Sequence, residues 1–525
     1  MNPAELEILR TAFAFVPQEM GIALQRTAFS PNIKERMDAS CALFDVRGRM
    51  IAQAEHIPVH LGSMPATVRA FLDAFGEDLT EGDQLLTNDP YRGGSHLPDL
   101  TLARPVFHRH RMIGFVVNRA HHADVGGRSP GSMPVGKLTL ADEGVVLEPV
   151  KWIRAGEENQ APRERIVREM RNPKERLGDL RAQVAANELG ARRLRELYDK
   201  YGIETCERFA DEILAYSERR VRTALAAAPR GTYRAEDALD DDGVEDRPLW
   251  IRCAVTIGDD VRVDFAGTDA QVEGNVNAPL AVTQSATYYV VRCLTDPDAP
   301  PNAGCYAPVS IAATEGSLVN ARKPAAVAAG NVETSQRIVD MLFLALAPAF
   351  PDRVPAQSQG TMNNLLLGGP AFAYYETIAG GEGALPYRRG MDGVHTHMTN
   401  TRNTPVEALE LAYPIRVEEY GLIRGSGGGG RWRGGDGVRR AIRFLGEEGT
   451  LTIVSDRRRS APRGLRGGDS GSPGRNALRR DGVLIPLPSK VTCELRRGDV
   501  VIVETPGGGG WGVRPGVRET GRETT

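Results

Sequence analysis

Histidine and aspartate side chains gather between residues 88 and 127 in a pattern that could bind a metal ion. The stretch holds five of the nine histidines in the chain, His96, His108, His110, His121 and His122. His96 and Asp99 are three residues apart, and His121 follows an apolar run, 112–117, that predicts a buried strand. Imidazole and carboxylate together suit a borderline divalent ion such as zinc or manganese. The spacing also fits ordinary core or surface histidines, so alone it only suggests a site.

The neighbouring sequence strengthens the metal interpretation. Asp38 leads a short apolar run, 40–44, that predicts a strand, and a carboxylate entering such a strand is costly to bury unless it is paired or metal-bound. The alternative is a turn cap or an ion pair with Arg36 or Lys34. With His56 and His60, seven of the nine histidines fall in residues 56–122. This clustering favours a site over scatter.

Long motifs along the whole chain resemble those of the hydantoinase B/5-oxoprolinase family. They are NDPYRGGSHLPD (88–99), AHHADVGG (120–127), RNPKERLGDLRAQVAAN (171–187), GNVETSQRIVD (330–340), HMTNTRNTPVEALE (397–410), RWRGGDGVRR (431–440) and TPGGGGWG (505–512). The resemblance implies one divalent metal, zinc or manganese, held by Asp38, His96, Asp99 and His121. No ligand position of the family is missing.

The resemblance also implies how the reaction is divided. A hydantoinase A-type, actin-like partner subunit holds ATP and phosphorylates the carbonyl oxygen of the substrate, and the metal subunit completes the chemistry. We therefore expect a subunit of a hetero-oligomeric, ATP-dependent hydrolase that opens a lactam or hydantoin ring. A length of 525 residues favours this branch over the longer ketone carboxylase subunits. The alternatives are a ketone carboxylase metal subunit and a non-catalytic scaffold for the ATPase.

Two histidines and two aspartates around one ion leave a position open for water or substrate, and a bound ion lowers the pKa of water and polarises a carbonyl. Candidates for proton transfer nearby are His122, His60 and Asp124. Asp124 precedes a Gly-Gly turn and could instead orient His121, since ligating histidines are usually fixed by a second hydrogen bond. We rank this orienting role of Asp124 first.

Two later segments are candidate substrate walls. Glu333, Thr334 and Ser335 lie at the start of a predicted helix, where free N–H groups can bind an anionic or carbonyl group. The alternative is that Thr334 or Ser335 only caps the helix. His397, in the sequence VHTHMTN, is placed on the substrate side because the implied ligand set is already complete.

Composition excludes several classes of function. The net charge of −3 gives no electrostatic reason to bind nucleic acid or a membrane surface, and no apolar run approaches the roughly 20 residues that span a bilayer. Six dispersed cysteines without a CxxC pair, and a start without a signal-peptide core, predict reduced thiols and a cytoplasmic location. The glycine runs at 425–430 and 507–510 lack a phosphate-loop pattern, so we expect ATP on the partner and no nucleotide site here.

The elements that must position these residues predict a mixed α and β fold with several lobes. We expect a metal-binding α/β lobe over 1–155, a helical hairpin over 156–230, and a mixed α/β lobe over 231–405. A β-rich lobe should cover 406–512, followed by a disordered tail, 513–525. Within the first lobe, a helix from Asn2-Pro3, a hairpin over 40–53 and a helix over 63–75 are predicted.

Overall fold

The computed structural model describes residues 1–54, 57–369 and 372–514 and shows the mixed α and β fold that the sequence predicts. The α-helices of this part are α1 (Pro3–Thr27), α2 (Pro31–Lys34), α3 (His60–Phe75), α4 (Leu140–Glu143), α5 (Gln160–Glu169), α6 (Pro173–Tyr201), α7 (Ile203–Ala226), α8 (Leu280–Leu294), α9 (Ser335–Leu346) and α10 (Val406–Ala412). A π-helical turn, Gly330–Thr334, leads into α9. His56 and the tail 515–525 lie outside the described residues.

Twenty strands in the described residues form four sheets. They are β1 (Ala39–Phe44), β2 (Met50–Ala54), β3 (Gln84–Thr87), β4 (Asp99–His108), β5 (Arg111–His121), β6 (Val150–Arg154), β7 (Glu157–Glu158), β8 (Gly231–Leu239), β9 (Leu249–Ile257), β10 (Val261–Asp264), β11 (Val309–Ala312), β12 (Asn364–Gly369), β13 (Phe372–Thr377), β14 (Ile415–Leu422), β15 (Val438–Phe444), β16 (Glu448–Val454), β17 (Arg475–Arg480), β18 (Val483–Leu487), β19 (Lys490–Arg496) and β20 (Val500–Glu504). The sheet orders are β2-β1-β5-β4-β3-β6-β7, β11-β10-β9-β8, β13-β12-β16-β19 and β14-β15-β20-β17-β18.

The seven-stranded sheet forms the centre of the N-terminal region and is covered on both faces. Successive strand residues point to opposite faces, so Phe115 and Val117 of β5 join one core with α3 and α8, while Val116 and Ala120 join another with α1 and α6. The predicted hairpin over 40–53 is confirmed by the antiparallel pairing of β1 with β2. The predicted start of α1 is also confirmed, because the Asn2 side chain accepts a hydrogen bond from the Glu5 amide.

Helix α6 lies directly on this sheet, which the expectation of a separate helical hairpin did not include. Gln183 donates to the Leu100 carbonyl and to the Asn118 side chain, and Asn118 in turn donates to Asn187. These buried amides satisfy one another between helix and sheet, as buried polar groups must. The helix therefore belongs to the packing of the first sheet.

The two sheets at the C-terminal end pack face to face around a shared core that includes Leu367, Ile442 and Val501. Strands β12 and β13 share a sheet with β16 and β19, so strands on both sides of residue 405 form one sheet. The strands predicted after residue 407 are confirmed, whereas β17 and β18 were not predicted.

The remaining general expectations concern membranes and disulfides. Among the described residues, no helix is long and apolar enough to cross a membrane. None of the six cysteines, all of which lie in the described ranges, forms a disulfide.

Candidate metal centre

Three neighbouring strands bring the predicted ligands into one row. Asp99 on β4 pairs with His121 on β5, and on the other side of β5 the His121 amide donates to the Asp38 carbonyl at 3.0 Å. Residues that are directly opposite in a sheet point to the same face. The row Asp38–His121–Asp99 therefore lies at one end of the sheet, on the face that packs against α3.

His96 joins this row from the loop before β4. Gly93 in this loop has a φ of +86°, and a Cβ there would lie 2.4 Å from the Ala66 carbonyl carbon, so only glycine fits the turn against α3. Beyond the turn, the Asp99 amide donates to the His96 carbonyl at 3.1 Å. The sequence GGSHLPD thus folds His96 back over Asp99.

The side-chain atoms of His96, Asp99 and His121 form a nearly equilateral triangle. The distance from His96 Nε2 to Asp99 Oδ1 is 3.1 Å, from Asp99 Oδ1 to His121 Nδ1 3.1 Å, and from His121 Nδ1 to His96 Nε2 3.2 Å. Metal–ligand bonds of about 2.0–2.2 Å place neighbouring ligands of a tetrahedral or octahedral ion roughly 3–3.5 Å apart. All three residues are buried, and the triangle fits a divalent ion.

The electrostatics of the triangle favour the protonation states that metal binding needs. Burial would raise the pKa of the Asp99 carboxyl, but the nearby His96, His121 and His60 hold it well below its ordinary value. Burial lowers the pKa of His121, although Asp99 partly offsets this effect. Asp99 is therefore ionised and His121 neutral at pH 7, as a ligand pair should be.

Further contacts fix the imidazole rings. His96 Nδ1 lies 3.3 Å from the Ala328 carbonyl, which leaves Nε2 facing the triangle. His60, the first residue of α3, lies between Ser40 Oγ at 2.9 Å and Asp99 Oδ2 at 3.4 Å. Of the residues predicted to transfer protons, His60 is the one that the structure places beside the cluster.

Asp38 faces the same cavity but is not part of the triangle. It is 6% exposed and lines a small cavity together with His60, Asp99 and His121. Its carboxylate forms no hydrogen bond or ion pair with any described residue. An unpaired, nearly buried carboxylate beside the triangle fits the fourth ligand position.

His122 and Asp124 lie away from this cavity, which differs from the sequence expectation. Because side chains alternate along a strand, His122 points to the opposite face, where its Nε2 lies 3.0 Å from Gln183 Oε1. Asp124 accepts hydrogen bonds from the Gly126 and Gly131 amides and pairs with Arg171 at 3.2 Å. Neither side chain contacts His121 through a hydrogen bond, so Asp124 fixes its own turn instead.

Glu333, Thr334 and Ser335, predicted to form a substrate wall, have other roles in the structure. The Thr334 hydroxyl donates to the Val276 carbonyl and the Ser335 hydroxyl to the Asn331 carbonyl, so both serve the main chain. Glu333 accepts from the Asn364 side chain, and burial raises the pKa of its carboxyl to about 8. None of the three lines the cluster cavity in the described part of the chain.

His397 lines a separate groove beside the cluster cavity. Its Nε2 lies 3.5 Å from Asp340 Oδ1. The groove also contains Tyr289 and His395, and the following residues of the same loop, Met398 and Thr399, line the cluster cavity instead. His397 is thus on the outer side of a loop that separates the two spaces.

Several cavity residues were not found from the sequence. Tyr375 stacks on His121 with 4.6 Å between ring centres, and Asn331 in the π-helical turn places Nδ2 3.2 Å from His96 Nε2. The hydroxyls of Thr377, Thr399 and Thr401 complete one wall. Asn331, Thr399 and Thr401 lie in motifs that carry the family resemblance. The sequence of β13, which contains Tyr375 and Thr377, has no feature that indicates a site.

Comparison with known proteins identifies the family of this chain. The family model described as hydantoinase B/oxoprolinase matches residues 2–514, and the chain belongs to this family. It is 42% identical to an uncharacterized protein of Methanocaldococcus jannaschii, covering 98% of this chain and 91% of that one. It is 41% identical to 5-oxoprolinase 1 of Arabidopsis thaliana, covering 97% of this chain but only 42% of the plant protein.

Further relatives include one component of a hydantoinase and two solved structures. The B component of a putative D-/L-hydantoinase from a Pseudomonas strain is 33% identical, over 98% of this chain and 90% of that one. The ATP-dependent caprolactamase from Pseudomonas jessenii has a TM-score of 0.92 at 28% identity, covering 98% of this chain and 92% of that chain. Acetone carboxylase has a TM-score of 0.90 at 20% identity, covering 97% and 76%, and shares the fold.

Proposed function

We propose that this chain is the metal-dependent subunit of an ATP-dependent cyclic amidohydrolase and opens a lactam or hydantoin ring after a partner subunit has phosphorylated the ring carbonyl. The observation that carries the proposal is the buried triangle of His96, Asp99 and His121, with ligand atoms 3.1–3.2 Å apart. Relatives named 5-oxoprolinase, D-/L-hydantoinase and caprolactamase supply the substrate class.

The fourth ligand in this proposal is Asp38. Two carboxylates and two imidazoles would hold zinc or manganese, and the ion supplies a lowered pKa for water and polarisation of the scissile carbonyl or its phosphate. His60 is placed to move the proton, because its ring contacts Asp99 and lines the cavity. Asn331, whose Oδ1 has no partner among the described residues, would accept the ring N–H of the substrate.

The glycine-rich segments of this chain support the assignment of ATP to a partner subunit. The glycine-rich segments 425–430 and 507–510 pack against one another; for example, the Gly428 amide donates to the Gly508 carbonyl at 2.8 Å. They therefore serve tight main-chain packing and not phosphate binding. A hydantoinase A-type ATP-binding subunit would perform the activation, which makes the active enzyme a hetero-oligomer.

Metal analysis of ligand variants tests the proposal. His96→Ala and Asp99→Ala should each fold and lose the stoichiometric metal of the wild-type chain, since each removes one corner of the triangle. His108→Ala is a matched control, because His108 is also buried but lies at the far end of β4. Full metal occupancy in both ligand variants, measured by elemental analysis, would refute the assignment.

A further inference from the structure

Arg36 is a buried cation next to the cluster cavity, and it has no acidic partner. Its side chain is 0% exposed. The guanidinium donates to the Tyr375 carbonyl at 2.6 Å, to Thr377 Oγ1 at 3.1 Å and to Asn32 Oδ1 at 3.3 Å, and it lies 4.8 Å from the centre of the Tyr375 ring. Its Nε has no hydrogen-bond partner in the described residues. Within those residues it forms no ion pair. Buried charges are normally paired, so this charge calls for a counter-ion.

A row of threonine hydroxyls connects Arg36 with the cavity. Thr377 Oγ1 accepts from Arg36 and lies 2.7 Å from Thr401 Oγ1, so its own hydrogen can be donated to Thr401. Thr401 Oγ1 lies 3.5 Å from Thr399 Oγ1, and all three hydroxyls line the cavity. The guanidinium thus polarises the row so that O–H hydrogens point away from it. The row can donate hydrogen bonds to a ligand in the cavity.

The charges around the cavity also favour an anion. Asp38 and Asp99 contribute two negative charges, and Arg36 and Arg119 contribute two positive charges. Arg119 is fully buried and donates to hydroxyls, including that of Thr101 at 2.7 Å, without an acidic partner in the described residues. These four charges cancel, so a divalent ion at the triangle would leave an excess of two positive charges. In a buried site such an excess attracts an anion strongly.

We propose that Arg36 and the hydroxyls of Thr377, Thr399 and Thr401 form an oxyanion subsite beside the metal cluster, which selects a small ring substrate that carries a carboxylate or a phosphoryl group. The inference rests on the proposed function and specifies its substrate. The carboxylate would be a substituent of the ring, and the phosphoryl group would be the one placed on its carbonyl.

The competing explanation is that Arg36 has only a structural role and stabilises the packing of β13 against the loop that carries Thr401. In that case its loss would lower stability and leave ligand preference unchanged. The two explanations separate when binding of charged and uncharged ligands is compared in folded, metal-loaded protein.

Calorimetry on the full-length chain loaded with zinc makes this comparison. The probes are inorganic phosphate, 5-oxoproline and 2-pyrrolidinone, which is the same ring without the carboxylate. Arg36→Met should weaken binding of the preferred anion about tenfold or more, since it removes the buried charge that polarises the hydroxyl row, and should leave 2-pyrrolidinone unaffected. Lys34→Met is the matched control: it removes the same charge two residues away, on the surface. Thr401→Val retains Arg36 and should weaken anion binding by a smaller factor.

Each outcome decides the proposal. Stronger binding of phosphate identifies the phosphoryl group as the recognised oxyanion, and stronger binding of 5-oxoproline identifies the carboxylate. Equal anion affinity in Arg36→Met and wild type, or no anion binding by the metal-loaded wild type, overturns the subsite and leaves the ring-opening function standing. If Arg36→Met does not fold, unchanged anion binding in Thr401→Val overturns it. If the wild-type chain binds no metal, the proposed function is contradicted instead. Anion binding by the same variants, measured on the chain as purified, then tests the subsite.

Discussion

At the scale of single residues, the cluster divides into groups that hold an ion and one group that can move a proton. His96, Asp99 and His121 meet within 3.2 Å, and His60 touches the outer oxygen of Asp99 without joining the triangle. The His60 ring lines the cavity, and its Nε2 faces Asp99. We therefore assign proton transfer to His60 and expect it to be dispensable for metal binding.

His60→Gln should retain the metal and lower the rate of ring opening about a hundredfold or more, the usual contribution of a general acid or base. The matched control is His122→Gln, because His122 is as deeply buried but lies on the opposite face of the sheet. Turnover and elemental analysis of both variants check this prediction. Equal losses of turnover in the two variants would show that His122 also contributes to catalysis.

The family resemblance implied Asp38, His96, Asp99 and His121 as ligands, whereas residue types and spacing alone only suggested a site. The structure brings His96, Asp99 and His121 together. His122 could not be separated from His121 by residue type, since the two differ only in the face of β5 to which they point. Tyr375 and Arg36 are ordinary residues of their segments, and only the tertiary fold brings them to the cavity.

At the scale of elements, the π-helical turn Gly330–Thr334 places Asn331 against His96. Such turns accommodate an extra residue in a helix and are often found at functional sites. Gly330 permits it, because a Cβ there would lie 1.9 Å from the Asn277 carbonyl oxygen. The sequence predicted a helix at this position, and the turn went unrecognised because no residue pattern distinguishes the two.

Gly330→Ala should destabilise the protein by about 1–3 kcal/mol, the usual cost of overpacking a core, and should weaken metal binding through the displaced Asn331. Gly76→Ala is the control, because a Cβ at that position meets nothing within 4 Å and the backbone φ of −39° suits any residue. Urea unfolding and metal titration measure both effects. Wild-type behaviour of Gly330→Ala would show that the turn does not position Asn331.

The segment that carries Ala328 is fixed by a buried carboxyl group. Glu143 Oε1 accepts from the Ala328 amide at 2.7 Å, and the Ala328 carbonyl faces His96 Nδ1. Burial raises the pKa of the Glu143 carboxyl to about 8. The folded protein therefore binds a proton here that the unfolded chain, with an ordinary pKa of about 4.3, releases.

Glu143 should thus make stability fall as the pH rises from about 4.5 to about 8, by roughly 1.4 kcal/mol for each pH unit in that window. Glu143→Gln keeps the acceptor oxygen and should remove the part of the pH dependence of the unfolding free energy that comes from Glu143. Unfolding free energies at pH 5 and pH 8 provide the test, with the exposed Glu148→Gln as control. An unchanged slope in Glu143→Gln would contradict the raised pKa.

At the scale of the whole molecule, a buried ion network joins the central and C-terminal regions. Arg337 of α9 pairs with Asp456 at 2.8 Å and with Asp237 of β8 at 3.3 Å, and Arg457 pairs with the same Asp237 at 3.1 Å. The sequence predicted helix α9 and a β-rich lobe over 406–512, but not strand β8. The sequence could not predict how these regions pack together, because ion pairs between residues distant in the chain produce no local sequence pattern.

Arg337→Met should destabilise the protein by about 3–5 kcal/mol, since it leaves buried carboxylates without a partner. Arg388→Met removes a partly exposed pair with Glu382 and should cost about 1 kcal/mol or less. Denaturant unfolding of both variants is the measurement. Similar losses in the two would show that the buried network does not hold the regions together.

The central claim is that this chain, with an ATP-binding partner, adds water to an activated cyclic amide. The most direct measurement is turnover of a cyclic amide such as 5-oxoproline or hydantoin by the assembled enzyme in oxygen-18 water. We predict ATP-dependent entry of the label into the product carboxylate, and loss of this labelling in His121→Ala while part of the partner's ATP hydrolysis persists. Incorporation of carbon dioxide into a ketone without water label would contradict ring opening and favour the carboxylase alternative. Absence of both signals would leave the chain as a scaffold for the ATPase.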